Sequence, residues 1–243
     1  MFMTTKPVAA SMKPFSSIVK FGNVTVPSSS QYETGLWNIS FGLNPGELLL
    51  VRIERENERL PLADVTEGLV PPAHGTVTFL GDDWQRLSAD HAAAQRGKIG
   101  RLFEDEGWIS DLDVDENIVL AQRHHTQRTE EEIREEALKF ARMFGLPGLP
   151  RGRPGKVRRW DLRKAACIRA FLGQPMLIIL EQPVRGVYAD FMAPLLNAVQ
   201  SARTHGAAVL WTVTDPQIWN NSGIRAASRA KMLGSELRMM EPD

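Results

Sequence analysis

The chain has 243 residues, of which 43% are hydrophobic and 24% charged, and its 29 Lys and Arg residues balance its 29 Asp and Glu residues. This composition is typical of a globular protein with one large domain or one domain plus a subdomain, and the zero net charge argues against a general nucleic-acid binder. No apolar run approaches the roughly 18 residues that a transmembrane helix requires. An internal disulfide is also excluded, because Cys167 is the single cysteine of the sequence.

Residues 1–16 are predicted to be a flexible lead-in, because Pro, Lys and Thr interrupt their apolar stretches, and residues 17–243 to form a single domain. The first half of that domain alternates apolar runs with turn residues, a pattern that predicts short strands. These strands are predicted at Ile18–Val26, Leu36–Phe41, Glu47–Ile53, Thr76–Leu80 and Lys98–Phe103. Pro61 is well placed to open a short helix, since Pro is tolerated in a first turn.

The middle of the chain changes character and becomes helical and strongly charged. Residues 104–136 contain twelve Asp and Glu against three Arg, whereas residues 151–169 contain eight Lys and Arg against one Asp. This segregation suggests separate faces for partners; solvated faces, or pairing of one stretch with the other, are the alternatives. Thr129 and Glu132 make a capping box for a helix that ends before Gly145.

Asp161 is expected to cap a second helix that ends at Leu172, and residues 104–172 are predicted to form a helical subdomain. The segment Met176–Pro183 (MLIILEQP) then runs apolar without alternation, as a strand buried on both faces does. Ala207–Val213 repeats this pattern, and Arg229–Met239 is expected to form a closing pair of strands. The sequence therefore predicts an α/β fold with a mostly parallel sheet. Glu181 and Gln182 follow the buried strand, at the end where open α/β sheets bind ligands.

Several segments, taken in order and spacing, resemble the ATP-binding subunits of ABC transporters from about Ile18 to Glu241. They are WNISFGLNPGE, GLVPPAHGTVTFLGDD, IGRLFEDEGWISDLDVDENIVL and IRAFLGQPMLIILEQP. The resemblance implies a P-loop NTPase-like ABC ATPase fold, with a mostly parallel core, an antiparallel β subdomain and a helical subdomain. The phrase FEDEGWISDLDVDENI is most similar to the branch that serves MCE or Mla-type lipid transport.

The segment that matches the family's phosphate loop, Ile53–Leu60 (IERENERL), lacks the residues that a phosphate loop needs. A phosphate loop turns backbone N–H groups inward at glycines, and it uses a Lys for phosphate and a hydroxyl for magnesium. Here the glycine places carry Ile53 and Glu58, the lysine place carries Arg59 and the hydroxyl place carries Leu60. The loop also brings acidic side chains that would repel a polyphosphate.

The family's other functional positions are altered as well. The Walker B aspartate and glutamate places carry Glu181 and Gln182, and an amide cannot act as a general base. The remaining altered positions are Glu104 at the Q-loop glutamine, Tyr188 at the D-loop aspartate, Thr214 at the switch histidine, and Arg158, Arg159 and Trp160 at the signature motif.

These substitutions favour the hypothesis of a catalytically degenerate ABC-type subunit with a structural or regulatory role in a membrane transport complex. The resemblance then implies a membrane permease, an ABC ATPase paralogue or both as partners, a homodimer or heterodimer, and a cytoplasmic place at the inner membrane without direct membrane insertion. No cofactor is expected, and no metal. Trp108 and Ile109 are candidate apolar anchors for the permease, with a core role as the alternative.

Two other hypotheses remain open. One is an ATP-hydrolysing subunit that binds ATP and magnesium in a rearranged site built from Arg59, Glu181 and either Asp64 or Glu67. The other is a soluble scaffold or binding protein that uses the basic stretch Arg151–Arg169 to meet an acidic partner. Nucleic acid is an improbable partner of that stretch, because Trp160 is its only aromatic residue.

Overall fold

The computed structural model describes residues 17–55, 59–105, 107–185 and 191–241. The strands in these ranges are β1 (Val19–Val26), β2 (Leu36–Leu43), β3 (Leu48–Ile53), β4 (His74–Phe79), β5 (Asp82–Asp83), β6 (Ile99–Leu102), β7 (Leu177–Glu181), β8 (Ala208–Val213), β9 (Ser228–Leu233) and β10 (Glu236–Met239). The helices are α1 (Leu62–Thr66), α2 (Ala89–Arg96), α3 (Val114–His125), α4 (Glu130–Met143), α5 (Arg159–Phe171), α6 (Met192–Thr204) and α7 (Pro216–Trp219).

The described strands form two sheets. A four-stranded antiparallel sheet has the order β2-β1-β4-β5, and a six-stranded sheet has the order β10-β9-β3-β8-β7-β6. All neighbours in the larger sheet are parallel except β9 and β10, which form an antiparallel hairpin. The prediction of a mostly parallel core with an antiparallel β subdomain is therefore confirmed.

The continuous apolar runs are strands whose two faces are both covered, because successive side chains of a strand point to opposite sides of the sheet. In β7, Ile178 and Leu180 pack in the cluster formed with the helices, whereas Leu177 and Ile179 pack in the cluster formed with the antiparallel sheet. All four side chains are fully buried. Strand β7 thus lies in the middle of the protein, with both faces in the core.

Helix α5 packs directly against β6, and a glycine allows this approach. A Cβ atom added to Gly100 would lie 1.8 Å from the carbonyl oxygen of Ala170, a distance that no side chain permits. Helices α3, α4 and α5 contribute Ile118, Ile133 and Ala166, respectively, to the core cluster that covers this face of the sheet.

Of the two helix caps predicted from the sequence, one is confirmed and the other is wrong. The capping box of Thr129 and Glu132 is confirmed, with both reciprocal hydrogen bonds present at the start of α4. The prediction that Asp161 caps α5 is wrong, because that helix begins at Arg159 and has Arg158 at its N-cap. Asp161 instead lies in the first turn, where a carboxylate interacts favourably with the helix dipole.

The lead-in at residues 1–16, the glycine place Glu58 and the D-loop place Tyr188 lie outside the described residues, and the predicted phosphate loop Ile53–Leu60 lies partly outside them. None of the helices within the described ranges is long and apolar enough to cross a membrane. Cys167 is buried in α5, as expected for a structural thiol.

The acidic and basic stretches are partly paired with each other. Arg153 lies 3.5 Å from Asp113, and the Arg169 guanidinium donates to the carbonyl of Gly107 at 2.8 Å. The guanidinium carbon of Arg169 also lies over the Trp108 ring at 4.7 Å. Internal pairing therefore accounts for part of the charge segregation, while Arg158 and Arg159 remain exposed.

Helices α3 and α4 are joined by an ion pair that should make this helical segment sensitive to acid. Arg123 donates to both oxygens of Glu130, at 2.7 and 2.6 Å, and this hydrogen bonding lowers the pKa of Glu130 from 4.5 to about 2. Stabilisation by a carboxylate with a lowered pKa is complete above its unfolded pKa and is lost as the pH falls through the folded value.

We therefore expect Glu130→Gln to lower the midpoint of thermal unfolding at about pH 6, and the difference from wild type to vanish as the pH falls from about 4.5 to about 2. The effect should be small, because the Glu130 side chain is 44% exposed. Glu131→Gln, on the exposed side of the same turn, is the matched control. An equal loss in both variants, or a difference that persists at pH 2, would contradict this assignment.

Candidate functional site

A cavity of about 220 Å³ lies at the carboxyl ends of the parallel strands. Its lining includes Arg101 after the middle of β6, Glu181 at the end of β7, Asp64 of α1, and Tyr32 from the loop between β1 and β2. Crevices outside the carboxyl ends of strands are where open α/β sheets bind ligands. The cavity is therefore the candidate functional site.

Arg101 occupies the centre of this site and contacts three carboxylates. Its Nε donates to Glu181 Oε1 at 2.7 Å, and its Nη1 donates to Asp64 Oδ1 at 2.6 Å and to Glu67 Oε2 at 2.9 Å. The Arg101 side chain is only 7% exposed. A buried charge is tolerated when it is paired and hydrogen-bonded, and here one guanidinium joins β6, β7 and α1.

The charges of this cluster change one another's pKa. Burial alone would lower the pKa of Arg101, but the attraction of Glu67 and Glu181 holds it above its ordinary value. Burial raises the pKa of Glu67 and of Glu181, and Arg101 opposes both shifts. Burial and the hydrogen bond that the Tyr32 hydroxyl donates to Asp64 Oδ2 at 2.6 Å raise the pKa of Tyr32. At neutral pH, Arg101 and Tyr32 therefore both keep their protons.

Gln182 and Thr214, the Walker B glutamate place and the switch place, are brought into contact. The Gln182 Oε1 accepts hydrogen bonds from the Thr214 backbone N–H at 3.0 Å and from the Thr214 hydroxyl at 3.3 Å. Gln182 is buried and has a φ of 49°, in the left-handed region. Its amide oxygen is thus engaged within the protein, and an amide has no basic lone pair with which to take a proton from water.

Three described residues of the phosphate-loop segment, Ile53, Arg59 and Leu60, line the cavity. Ile53 ends β3 and is buried in the core shared with the antiparallel sheet, and Leu60 packs against the same core. Arg59 lines the cavity but lies 3.2 Å from Asp105, and both side chains are largely exposed. Glu104, the Q-loop place, accepts a hydrogen bond from Arg185 at 2.6 Å.

The signature-motif residues are separate from this cluster. Arg158, Arg159 and Trp160 lie at the beginning of α5, and all three are exposed, Trp160 by 57%. They are not among the described residues that line the cavity. The structure thus joins Glu181 to Arg101 and Gln182 to Thr214, and leaves the signature place at the surface.

Arg163 of α5 fixes the helical segment to the strand ends. Its Nη1 donates to the carbonyls of Phe103 and Glu104 at 3.0 and 3.1 Å, and its Nη2 donates to the carbonyl of Glu181 at 2.9 Å and to that of Gln182. The Arg163 residue is only 5% exposed. One buried side chain therefore satisfies backbone carbonyls on two loops that border the cavity.

Sequence reasoning missed both Arg101 and Arg163. Each had a weak signal, because Arg101 interrupts the apolar segment Lys98–Phe103 and Arg163 follows Leu162 on a helix with a buried face. Arginine is rarely buried unless it is paired. An arginine inside a predicted core element therefore indicates a partner, although the sequence does not say which.

ATP with magnesium, the ligand that the resemblance implies, does not match the arrangement of these residues. The Glu181 carboxylate that would face the metal is bound by Arg101. The cavity is lined by four carboxylates, those of Asp64, Glu104, Asp105 and Glu181, and by two guanidinium groups. It is also smaller than the roughly 300–1,000 Å³ of ordinary ligand pockets. Across the described ranges, no group of three or more His, Cys, Asp or Glu residues could hold a metal ion.

Arg163→Met should loosen the junction between α5 and the strand ends. The variant keeps the apolar stem but removes the guanidinium donors from five backbone carbonyls, so we expect a loss of about 3 kcal/mol in the free energy of unfolding. Urea denaturation measures this loss, with the exposed Arg159→Met on the same helix as the control. A stability of Arg163→Met within about 0.5 kcal/mol of the control, the range of surface substitutions, would show that Arg163 does not hold this junction.

Comparison with known proteins yields similar chains among proteins named as transport ATP-binding proteins. No protein-family model matches the chain. Over 158 residues, or 61% of the chain, the sequence is 27% identical to the probable ribonucleotide transport ATP-binding protein mkl of Mycobacterium leprae, and it is equally similar to the protein of that name from Mycobacterium tuberculosis. The matched region covers 46% and 44% of those proteins, so the chain spans less than half the length of these curated relatives.

Solved structures match over most of the chain. An ATP-binding subunit of an ABC transporter matches 91% of the chain and 88% of its own length, with a TM-score of 0.76 and 18% identity. A dimeric ATP-binding cassette in a post-hydrolysis state with ADP and phosphate matches 91% of the chain and 97% of its own length, with a TM-score of 0.78 and 20% identity. The resemblance to ABC transporter ATP-binding subunits is therefore confirmed, and the chain has the ABC ATPase nucleotide-binding fold.

Proposed function

We propose that the chain is a catalytically degenerate ABC-type ATPase subunit that acts as a structural or regulatory component of a membrane transport complex. The observation that carries this proposal is the position of Arg101, whose guanidinium binds the Glu181 carboxylate where the family places a magnesium-binding acid. A cation that is part of the protein already neutralises this carboxylate. A divalent ion would have to displace it from a buried network of three ion pairs.

Two further features support the loss of hydrolysis. Gln182 replaces the residue that would orient or activate the attacking water, and its amide oxygen already accepts from Thr214. The cavity presents more carboxylates than guanidinium groups, which disfavours a polyphosphate. Under this proposal neither ATP nor magnesium is a cofactor.

The partners in this proposal are a membrane permease, an ABC ATPase paralogue or both, with the chain on the cytoplasmic side of the inner membrane. A groove of about 1030 Å³ offers a surface for the permease, and it is lined by Phe103, Ile109, Leu120 and Ala121 among others. Ile109 is 47% exposed, whereas Trp108 is partly buried against the core. Ile109 is therefore the better candidate of the two predicted anchors. Dimerisation is supported by a structural relative that is itself described as dimeric.

The transported compound follows from the resemblance rather than from the site. The segment 103–118 is similar to the lipid-transport branch, and on that ground we propose lipid transport. The curated relatives carry the name of ribonucleotide transport proteins. A purified complex should contain a lipid under the first assignment and a ribonucleotide under the second.

A calorimetric titration tests the loss of nucleotide binding. We expect no saturable heat when ATP and magnesium are added to the wild-type protein up to millimolar concentrations, because Arg101 already binds Glu181 and the phosphate-loop segment lacks the glycines that a phosphate cradle requires. Saturable binding that is lost in both Glu181→Gln and Arg59→Met would instead support the rearranged ATPase site. Binding that both variants retain would contradict the proposed inactivity without supporting that particular site.

Purification from native cells in mild detergent tests the partner. We expect a permease to accompany the wild-type chain, and Ile109→Asp to reduce its yield by roughly tenfold, equivalent to about 1.4 kcal/mol. Leu69→Asp changes an apolar residue that lies elsewhere on the surface and is 50% exposed, and it should leave the yield unchanged.

Mass spectrometry of the complex distinguishes a bound lipid from a bound ribonucleotide. A monomer without partners would refute the proposal, and retention on RNA that decreases with salt would support the scaffold hypothesis.

A further inference from the structure

We propose that a second pocket of this protein binds a small organic carboxylate, whose oxygens meet the guanidinium groups of Arg203 and Arg225. The pocket has a volume of about 320 Å³, within the roughly 300–1,000 Å³ of ordinary ligand pockets. It shares no described lining residue with the cavity at the carboxyl ends of the strands. The inference is therefore independent of the proposed loss of nucleotide binding.

The pocket lies at the amino end of β3. Leu48, the first residue of this strand, lines the pocket, whereas Ile53, the last residue, lines the cavity around Arg101. Because a strand rises about 3.3 Å per residue, the two ends of β3 lie roughly 16 Å apart. Helix α6 and the segment between α7 and β9 supply the other described walls. The pocket and the cavity thus lie at opposite edges of the parallel sheet.

Arg203 of α6 carries a charge that no carboxylate of the described residues pairs. Its Nε donates to the carbonyl of Gly46 at 2.8 Å and its Nη1 donates to the carbonyl of Arg225 at 2.6 Å, so both acceptors are neutral. Neither arginine belongs to an ion pair within the described ranges. Burial accordingly lowers the pKa of Arg203, and the charge of Glu47 offsets this shift only in part. An anion in the pocket would compensate the charge of Arg203.

Arg225 provides the second cation of the pocket. The hydrogen bond from Arg203 holds the backbone of Arg225 beside α6, and the exposed Arg225 side chain also lines the pocket. Two guanidinium groups that border one pocket repel each other unless an anion lies between them. A planar guanidinium binds a carboxylate through two parallel N–H···O hydrogen bonds. The two arginines therefore form a recognition site for an oxyanion.

The local charge favours a carboxylate over a phosphate. Two arginines line the pocket and the charge of Glu47 acts on Arg203, so the local formal charge is +1. One carboxylate neutralises this charge, whereas a phosphate monoester carries a charge of about −1.5 to −2 at pH 7. The side-chain amides of Asn197 and Gln200 also line the pocket and can donate to the carboxylate oxygens.

Much of the remaining lining is apolar. Leu48, Val199 and Ile224 line the pocket and are each at most 3% exposed. An aromatic ring or a short branched chain attached to the carboxylate would contact these side chains, and the removal of its apolar surface from water would favour binding. The pocket is thus suited to a monoanion with a small apolar body.

Calorimetric titration of the full chain with benzoate tests the proposal. We expect saturable binding at millimolar benzoate in the wild type, and an apparent dissociation constant at least tenfold higher in Arg225→Met, which loses one of the two guanidinium groups. Asn197→Asp adds a carboxylate at the pocket and should weaken benzoate binding to a similar extent. Both substituted residues are exposed, so both variants should fold. No saturable heat in the wild type, or equal affinity in the wild type and Arg225→Met, would overturn the proposal.

Two further variants locate the binding. Arg238→Met removes an exposed arginine of β10 and should leave the affinity for benzoate unchanged. Arg59→Met removes a guanidinium from the cavity around Arg101 and should also leave the affinity unchanged. A loss in Arg238→Met equal to that in Arg225→Met would show a general effect of charge, and a loss in Arg59→Met would place benzoate in the other cavity. Either result would refute the proposed site.

Two other ligands test the chemical class. Phenyl phosphate keeps the ring but carries a larger charge, and acetate keeps the carboxylate without the ring, so both should bind more weakly than benzoate. Tighter binding of phenyl phosphate would overturn the choice of a carboxylate. Binding of acetate as tight as that of benzoate would contradict the contact between an apolar body and the pocket.

Discussion

Strand β7 is buried on both faces, and this constraint shapes the rest of the protein. Ile178 and Leu180 need helices on one side, and Leu177 and Ile179 need the antiparallel sheet on the other. Along β7, polar side chains are tolerated only where the strand leaves the core. Glu181 and Gln182 lie at this carboxyl end. A carboxylate at the edge of such a core must be paired, because an isolated buried charge is very costly. Arg101 on the neighbouring strand supplies that pairing at 2.7 Å.

Two buried arginines connect the elements at the carboxyl ends of β6 and β7. Arg101 joins β6, β7 and α1 through carboxylates, whereas Arg163 joins α5 to the loops after β6 and β7 through backbone carbonyls. A planar guanidinium suits both tasks, because it presents several donors in fixed directions and keeps its charge when buried. The strand ends and the helical segment are therefore tied together by groups that belong to the chain itself.

Some of the altered residues also make hydrogen bonds to other side chains or backbone groups, although each was identified separately in the sequence. Gln182 accepts from Thr214, and Glu104 accepts from Arg185. These two replacements therefore each have a hydrogen-bond partner within the protein. The exposed residues Arg158, Arg159 and Trp160 differ, since they lie at the surface at the start of α5. Their bulk is compatible with a face that meets another protein, and less so with close approach of a backbone to a phosphate.

The sequence by itself indicated the parallel core and the places of its strands, because short apolar runs without alternation, bounded by turn residues, are typical of strands buried on both faces. It also determined the capping box at Thr129 and the absence of a base at Gln182, since both are local properties of residue type. It misplaced the start of α5, because Asp161 is the nearby residue of a preferred N-cap type, whereas the helix begins at Arg159 without a side-chain cap hydrogen bond. Only the tertiary structure revealed that Arg101 meets Asp64, Glu67 and Glu181. Ion pairs across 37, 34 and 80 positions of sequence leave no periodic signal in the chain, so folding alone selects the partners.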